Sequence, residues 1–463
     1  MSPTAYAHFI GVGGAGMSGL ARVLHDRGFT VTGSDLKASR YSSALEDAGI
    51  RVHLGHAAEN LGDPEVVVVS SAIPETNPEL AEAVRRGIEV WPRAKMLAHL
   101  AGEDRTLAVA GTHGKTTTSS MLATVIDGLG LDPTFLVGGE LNEMGGNARC
   151  GKPGFYVVEA DESDGSFLYL RPHIAIITNI EADHLDHYGS FDEILDVFAR
   201  FIASTDPDGA VVVCADDARL VSLAREHARC RVLTYGFAED ADVRCDEPVP
   251  DRDAQGFFFA TPGGSRHEAH IAVPGRHNVA NATAVMATVA ALGLDTARAA
   301  AALARFGGVR RRFERVGEVG GVTVIDDYAH HPTEVKATLA ASRDVATGRV
   351  WVVFQPHRFS RTQALGADFG GAFGDADHVV LMDVYSAGEA PIPGVSGKTV
   401  LDALLASTPR AQVAYFPHRG DVESYVAARV RARDLVLTMG AGDVTAIGGE
   451  IVRALHTRQE TGS

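Results

Sequence analysis

A lysine and a threonine stand behind a glycine turn near residue 115. The apolar run Thr106–Ala110 leads into Gly111-Thr-His-Gly-Lys-Thr116, and a helical pattern follows. Strand, glycine turn, Lys-Thr and helix is the layout of a phosphate-binding loop, in which backbone N–H groups meet an anion, Lys115 adds a mobile charge and Thr116 can hold Mg²⁺. Because Val109 stands where the usual pattern has its first glycine, we predict a shortened loop. The alternative is an ordinary turn with a surface lysine.

Four carboxylates follow the next strongly apolar run. The segment Phe155-Tyr-Val-Val-Glu159 reads as a strand, and Asp161, Glu162 and Asp164 come directly after it. Carboxylates at a strand end beside a phosphate loop suit Mg²⁺, which prefers oxygen ligands and must bridge to the nucleotide. The alternative is a solvated acidic loop. The apolar strand that leads into these carboxylates argues against it.

Two further polar clusters leave their roles open. The run Ile174–Thr178 leads into Asn179-Ile-Glu-Ala-Asp-His-Leu-Asp-His187, whose spacing alone suits a transition metal, although we predict no structural zinc site. Asn278 and Asn281 lie on one face of a predicted helix. They could contact a base edge or simply satisfy the helix start.

A second glycine turn lies near the beginning of the chain. The strand Tyr6–Ile10 precedes Gly11-Val-Gly-Gly-Ala-Gly16, and Asp35 ends the next strand. This fingerprint places a diphosphate on a helix end and a ribose hydroxyl on a carboxylate. Alone it predicts a nicotinamide-dependent oxidoreductase, but any nucleotide diphosphate would satisfy it. Ser70 and Ser71 end a further strand, either as ligand contacts or as a polar turn.

Elements that position these side chains belong to three predicted α/β units. The last unit starts around Arg310, and its strands end in polar or glycine-rich loops, as in a doubly wound sheet with its site at the strand ends. These predicted strands are Val322–Ile325, Val350–Phe354, Val379–Met382 and Leu435–Thr438.

Composition narrows the class of protein. With 463 residues the chain is too long for one core, and its net charge of -17 argues against nucleic-acid or anionic-membrane partners. Its four cysteines show no C-x-x-C spacing, so thiols are expected rather than disulfides. No apolar stretch approaches the roughly 18 residues of a membrane span. We therefore predict a cytoplasmic protein.

Several long motifs, in order and in register, resemble the Mur ligase family. They are Gly111-Thr-His-Gly-Lys-Thr-Thr117, Glu159-Ala-Asp-Glu-Ser-Asp164, Asn179-Ile-Glu-Ala-Asp-His184, Gly275-Arg-His-Asn-Val-Ala-Asn281, Arg311-Arg-Phe313 and Asp326-Asp-Tyr-Ala-His-His-Pro-Thr-Glu334. The chain is most similar to the branch that joins L-alanine to UDP-N-acetylmuramate in peptidoglycan precursor synthesis. In that family ATP phosphorylates the sugar carboxylate, and the amine then attacks the acyl phosphate to give an amide, ADP and phosphate.

The resemblance implies an α/β fold with three domains. A Rossmann-like domain at 1–103 would bind the UDP-sugar, a central P-loop domain at 104–309 would bind ATP, and a Rossmann-like domain at 310–463 would bind the amino acid. The implied substrates are UDP-N-acetylmuramate, L-alanine and ATP with Mg²⁺. A monomer or homodimer is expected.

Individual roles follow from the resemblance. ATP would be bound by Gly111, Thr112, His113, Gly114, Lys115, Thr116, Thr117, His277, Asn278, Asn281, Arg312 and Asp327. One Mg²⁺ would be held by Thr116 and Glu159, and a second by His184. The UDP-sugar would contact Gly13, Gly14, Ala15, Gly16, Asp35, Ser70 and Ser71. The catalytic set would be Lys115, His331, Arg358 and Arg361.

One feature departs from related ligases. Branches that add later residues use a carbamylated lysine shortly after the position of His184, whereas no lysine occurs here between Lys152 and Lys336. The nearest alternative is the recycling ligase that joins a whole tripeptide to the same sugar; Ser70-Ser-Ala-Ile73 and Gln355-Pro-His-Arg358 favour alanine addition. A non-catalytic nucleotide switch would bind ATP without forming an amide.

Overall fold

Two short apolar runs form the middle of the first sheet, where strands are buried on both faces, whereas its outer strands are more polar and partly exposed. The computed structural model describes residues 5–102, 104–251 and 254–461. Strands of the first sheet are β1 (Tyr6–Ile10), β2 (Thr30–Asp35), β3 (Arg51–Leu54), β4 (Val66–Val69) and β5 (Glu89–Pro92). They are parallel, in the order β3-β2-β1-β4-β5. Helices of this region are α1 (Ala15–Asp26), α2 (Arg40–Asp47), α3 (Pro78–Arg86) and α4 (Arg93–Ala101).

The second sheet is longer and mixed. Its strands are β6 (Arg105–Ala110), β7 (Thr134–Leu141), β8 (Gly146–Arg149), β9 (Phe155–Glu159), β10 (Ile174–Ile177), β11 (Ala210–Cys214), β12 (Arg231–Gly236), β13 (Val243–Cys245), β14 (Val249–Asp251), β15 (Ala254–Ala260) and β16 (Arg266–Ile271). The order is β14-β15-β13-β12-β11-β10-β6-β9-β7-β8, and β16 pairs with β15. Its helices are α5 (Lys115–Gly128), α6 (Leu185–Tyr188), α7 (Phe191–Ala203), α8 (Ala218–His227), α9 (Arg276–Ala291) and α10 (Thr296–Leu303).

A third sheet holds the remaining strands. These are β17 (Glu314–Val319), β18 (Val322–Asp327), β19 (Val350–Phe354), β20 (His378–Met382), β21 (Gln412–Phe416) and β22 (Leu435–Met439). The order is β17-β18-β22-β19-β20-β21, with only β17 antiparallel among these strands. Its helices are α11 (Pro332–Val345), α12 (Phe359–Leu365), α13 (Gly397–Ser407), α14 (Val422–Ala427) and α15 (Thr445–Thr461).

The described residues form two compact units. One contains those of 1–246, 258–269 and 280–306, and the other those of 247–257, 270–279 and 307–463. The first two sheets therefore belong mainly to one unit, and the third sheet to the other. The predicted domain boundary at residue 103 lies outside the described residues.

Predicted strands recur with small shifts at their ends. β1 and β19 have the predicted bounds and β2 ends at Asp35 as predicted, whereas β18 continues beyond the predicted Ile325 to Asp327. Asp35, Glu159 and Asp327 are therefore the last residues of parallel strands, which places their side chains at carboxyl edges. Among the described residues, no helix combines the length and apolar character that a membrane span requires.

Candidate active site

The turn between β6 and α5 requires its two glycines. Gly111 has φ +128°, and a Cβ there would overlap the Thr178 side chain and lie 2.9 Å from the Asn179 carbonyl oxygen. Gly114 adopts the left-handed conformation just before α5. Asn179 holds the turn, because its carbonyl oxygen accepts from the Thr112 amide at 3.1 Å and its side-chain oxygen accepts from the His113 amide at 2.9 Å. The loop is thus fixed from the end of β10.

The Lys115 side chain is 14% exposed within this turn and is ion-paired. Its Nζ donates to the Thr112 carbonyl at 3.0 Å and to Glu162 Oε1 at 2.8 Å. Burial opposes the charged form, but the carboxylates of Glu162, Asp161 and Glu159 outweigh it and raise the pKa of Lys115. The ammonium is therefore held charged at the start of α5, where an anion would also meet the helix N-terminus.

Three carboxylates at the end of β9 and directly after it, those of Glu159, Asp161 and Glu162, surround the single ammonium of Lys115. Glu159 Oε1 accepts from Thr116 Oγ1 at 3.2 Å, and its Oε2 accepts from the Gly138 amide at 2.7 Å. Burial raises the pKa of Glu162 to about 7 despite the opposing charge of Lys115. Glu162 Oε2 is buried without a hydrogen-bond partner in the described part of the chain. A hydroxyl, three carboxylates and an orphaned carboxylate oxygen fit a hard divalent cation.

His184 lies at the edge of the same cluster. Its Nε2 is 3.9 Å from Glu162 Oε1 and 3.7 Å from Asp183 Oδ2. The residue has φ +55°, a conformation that non-glycine residues rarely adopt, and it directly precedes the short α6. The predicted metal residues Thr116, Glu159 and His184 are therefore brought together around Lys115 and Glu162.

The first glycine turn borders a cavity of about 580 Å³. Gly14, Ala15 and Gly16 line it together with Asp35 and Ser70. Gly13 is instead held behind the turn, since its amide donates to Asp35 Oδ2 at 2.9 Å. Ser71 is exposed, and it is not among the described residues that line the cavity.

The same cavity reaches the carboxylates of the second sheet. Gly138, Glu159 and Asp161 line it opposite the first glycine turn. Arg93 also lines it, with its guanidinium 3.9 Å from Asp161 Oδ2. A ligand seated on Gly14–Gly16 would thus extend toward the cation-binding carboxylates, which is the arrangement that a reaction between two phosphorylated substrates requires.

Two predicted asparagines contact different surroundings. The Asn281 side chain packs on the phosphate turn: a Cβ added to Gly114 would lie only 2.7 Å from Asn281 Oδ1. Asn278 Nδ2 donates to the Pro274 carbonyl at 2.7 Å within the second unit. The helix-start interpretation therefore accounts for one contact of Asn278, whereas Asn281 lies against the candidate nucleotide site.

In the second unit, Glu334 connects several predicted residues. Arg312 Nη1 lies 3.7 Å from Glu334 Oε1, and Glu334 caps α11 beside His331. The pKa of His277 is lowered to about 4 by desolvation from surrounding protein atoms, with Glu334 opposing and Arg312 reinforcing the shift, although the residue as a whole is exposed. His277, Arg312 and His331 therefore surround one carboxylate.

Asp327 has a supporting role in this structure. Its carboxylate accepts from the amides of Phe313 and Ala329 at 2.7 and 2.8 Å. Burial raises its pKa to about 6, although Arg312 and these amides lower it. Both Arg311 and Phe313 have positive φ. Asp327 thus holds the strained turn that presents Arg312.

Arg358 and Arg361 lie after β19. Arg358 has φ +66°, and its amide donates to the Tyr385 carbonyl at 2.8 Å. Arg361 Nη1 is 3.3 Å from His357 Nδ1. Burial lowers the pKa of His357 to about 3, with further lowering by His330 and both arginines. Two guanidiniums and a neutral imidazole form a suitable site for a carboxylate or phosphoryl group.

Sequence reasoning missed four residues that these contacts identify. Glu162 stood among the noted carboxylates without a role of its own, and Asn179 was noted only as part of a motif. Glu334 was noted only as the end of a motif, although it stands three residues after His331 as in a capping box. Arg93 belongs to none of the motifs noted in the sequence.

Family models match nearly the whole chain. The model described as "Mur ligase family, catalytic domain" matches residues 6–105, "Mur ligase middle domain" matches 109–289, and "Mur ligase, glutamate ligase domain" matches 311–442.

Curated relatives and solved structures are similar over their full lengths. The UDP-N-acetylmuramate--L-alanine ligase of Rubrobacter xylanophilus is 51% identical over 97% of this chain and 99% of that protein. That of Pelotomaculum thermopropionicum is 48% identical over 100% of both chains. The crystal structure of UDP-N-acetylmuramate-alanine ligase from Thermotoga maritima has a TM-score of 0.82 at 30% identity, covering 99% of this chain and 100% of that one. The chain belongs to the Mur ligase family.

Proposed function

We propose that the protein joins L-alanine to UDP-N-acetylmuramate at the expense of ATP, giving UDP-N-acetylmuramoyl-L-alanine, ADP and phosphate. The observation that carries the proposal is the single cavity that runs from the glycine turn at Gly14–Gly16 to Glu159 and Asp161. A sugar diphosphate and the γ-phosphate of a nucleotide need such a shared space for carboxylate activation. The names of the full-length relatives support the same reaction.

The proposed roles in the first unit follow from the contacts. Backbone amides of Gly111–Lys115 and the Lys115 ammonium would neutralise the ATP phosphates, with Thr117 in the first turn of α5. Thr116 and Glu159 would hold one Mg²⁺, and His184 with Glu162 would stand beside a second. Mg²⁺ supplies charge neutralisation on the transferring phosphoryl group. Gly14, Ala15, Gly16, Ser70 and Arg93 would seat the UDP-sugar, while Gly13 and Asp35 hold the turn.

The proposed roles in the second unit concern adenine and the amino acid. His277 is neutral at physiological pH and can contact a base, with Asn278 as a further candidate. Asn281, which belongs to the first unit, is a further candidate for ATP beside the phosphate turn. Arg312 would meet ATP, and Asp327 would keep its turn in place. Arg358 and Arg361 would bind the alanine carboxylate and the phosphoryl oxygens, with His331 nearby. This chain has no lysine where related ligases carry their carbamylated lysine. We propose that the carboxylate of Glu162 takes its place.

We also propose three functional domains at 1–103, 104–309 and 310–463, since each of these ranges contains all the strands of one sheet. A monomer or homodimer remains a prediction.

A coupled assay for ADP tests the proposed reaction. UDP-N-acetylmuramate, ATP and Mg²⁺ are incubated with a panel of amino acids, and we expect turnover that depends on L-alanine, with partial activity for glycine and serine because small side chains differ little in binding energy. No stimulation by alanine would reject the proposal. Turnover with the tripeptide alone would favour the recycling reaction, and NAD(H) binding without UDP-sugar binding would favour an oxidoreductase.

A further inference from the structure

A basic groove lies at the amino-terminal edge of the third sheet. It is lined by the first residues of β19, β20 and β21, whereas Arg358 and the other candidate residues follow the carboxyl ends of this sheet. The groove has a volume of about 560 Å³, within the range of small-molecule sites. It is therefore separate from the candidate active site of this unit.

The charge of the groove is opposite to that of the protein. Arg349, Arg429, Arg431 and Arg458 line it, and no aspartate or glutamate lines it in the described part of the chain. Asp434, behind the groove, takes a hydrogen bond from Arg349 Nε at 3.1 Å. The chain as a whole carries a net charge of -17. A local concentration of guanidiniums on such an acidic protein creates a positive field that attracts anions.

The guanidiniums are oriented by carbonyl oxygens, by a ring and, for Arg349, by an ion pair with Asp434, whose Oδ2 lies 2.5 Å from Arg349 Nη2. Arg349 Nη2 donates to the Arg429 carbonyl at 3.1 Å, and Arg458 Nη1 donates to the Ala427 carbonyl at 2.5 Å. Arg429 Cζ lies 3.8 Å from the centre of the Tyr425 ring. These contacts orient the side chains; the Asp434 carboxylate offsets the charge of Arg349, whereas a carbonyl oxygen or a ring carries no net charge. Ordered guanidiniums present planar pairs of donors, which match phosphate oxygens better than an ammonium does.

Aromatic side chains form one wall of the groove. The Trp351 and His378 rings stack at 3.8 Å between centroids with 15° between planes. Burial, reinforced by Arg349, lowers the pKa of His378. Trp351 Nε1 is buried without a hydrogen-bond partner in the described residues. Trp351 also lies 5.4 Å from Arg349 Cζ, so its environment depends on the position of that guanidinium.

We propose that this groove is a second anion site, which binds a small phosphorylated ligand with at least two phosphate groups. Three features carry the assignment: the volume of the groove, the ordered arginines and the lining free of carboxylates among the described residues. The site is independent of the proposed ligase reaction, because its residues lie at the opposite edge of the sheet from Arg358 and Arg361.

Binding of inorganic pyrophosphate tests the proposal. The chain has two tryptophans, so Trp91→Phe leaves Trp351 as the reporter of the groove. We expect a saturable change in Trp351 emission, and a matching calorimetric isotherm, on titration of the full chain. In the variant Arg429→Gln/Arg431→Gln the affinity of the groove should fall at least about tenfold, since hydrogen bonds from charged donors are lost.

A matched control separates this site from general electrostatics. Arg225→Gln/Arg453→Gln removes the same charge from exposed helix positions outside the groove and should leave the affinity unchanged. Superimposable calorimetric isotherms for the parent chain and the groove variant would overturn the proposal, as would equal weakening in the control variant. Equal affinity for citrate would overturn the assignment to phosphate. ADP release in the groove variant is measured separately, so a failed ligase assay leaves this test intact.

Discussion

The two glycine turns of the first unit are similar in sequence pattern but differ in what lies behind them. Each follows a buried parallel strand and opens a helix. The turn at Gly111–Lys115 is supported by Asn179 and carries an ammonium paired with Glu162. The turn at Gly11–Gly16 carries no lysine, and the carbonyl of Ser34 accepts from the Gly11 and Val12 amides at 2.8 and 3.0 Å.

A buried glutamate stands behind each turn, and the two have opposite pKa shifts. Burial by itself raises the pKa of Glu79, but the His8 ring 3.6 Å away and hydrogen bonds from Ser34 and Asn60 outweigh it and lower the pKa to about 2. Asn60 Nδ2 donates at 2.7 Å, and His56 Nδ1 lies 3.3 Å away. Glu162 has fewer donors and a carboxylate neighbour, so its pKa is raised to about 7. Glu79 is thus satisfied as a structural anion, whereas Glu162 is left with capacity for a cation.

Among these variants, Lys115→Ala should show the largest difference between the two glycine turns. We expect kcat to fall by about 10³-fold or more, because a preorganised charge on the transferring phosphoryl group is lost. The dissociation constant of UDP-N-acetylmuramate, measured by calorimetry, should stay within about twofold, since the other turn binds it without Lys115.

Lys152→Ala is the matched control for the lysine. Its side chain is 80% exposed and lies 3.6 Å from Asp132, so both kcat and sugar affinity should be unchanged. A collapse of UDP-sugar affinity in Lys115→Ala would contradict separate anion sites.

Glu79→Gln tests the structural anion through its pH dependence. A carboxyl whose pKa is lowered from 4.5 to about 2 on folding contributes stability above pH 4.5, and this contribution is lost as the pH falls toward 2. The contribution is about 3 kcal/mol. Chemical unfolding at several pH values should therefore show the largest gap between parent and variant near neutral pH, narrowing below pH 4.5. A constant gap would show that ionisation of Glu79 is irrelevant.

Gly111→Ala tests whether the phosphate turn is sterically determined. The new Cβ would overlap Thr178, and the residue has φ +128°, so the free energy of unfolding should fall by about 2 kcal/mol. Gly130→Ala shares a positive φ of +83° but meets nothing within 4 Å, so it should cost only about 1 kcal/mol. Equal losses measured by urea unfolding would mean that backbone strain alone explains the glycine.

Asp35→Ala has the smallest expected effect. The Gly13 amide loses its acceptor at 2.9 Å, which loosens the first turn and should raise the KM for UDP-N-acetylmuramate about fivefold. The KM for ATP should not change, since Asp35 makes no contact with the second turn among the described residues. An equal rise in both constants would indicate that Asp35 acts on the whole unit.

The sequence by itself determined the two glycine turns, the Lys115-Thr116 pair and the placement of Asp35 and Glu159 at strand ends. Local sequence patterns are sufficient to predict these features, because a turn with positive φ and a buried strand each depend on the types of consecutive residues. Resemblance to the family then located Arg312 and His331, whose roles no local pattern carries.

Only the tertiary structure decided which carboxylate pairs with Lys115 and what supports the first turn. Glu162 is 47 positions from Lys115, and Glu79 is 45 from Ser34. Such contacts depend on which strands become neighbours and on the direction of each side chain at a sheet edge. The number of nearby donors then sets whether a buried glutamate becomes a structural anion or a candidate cation ligand.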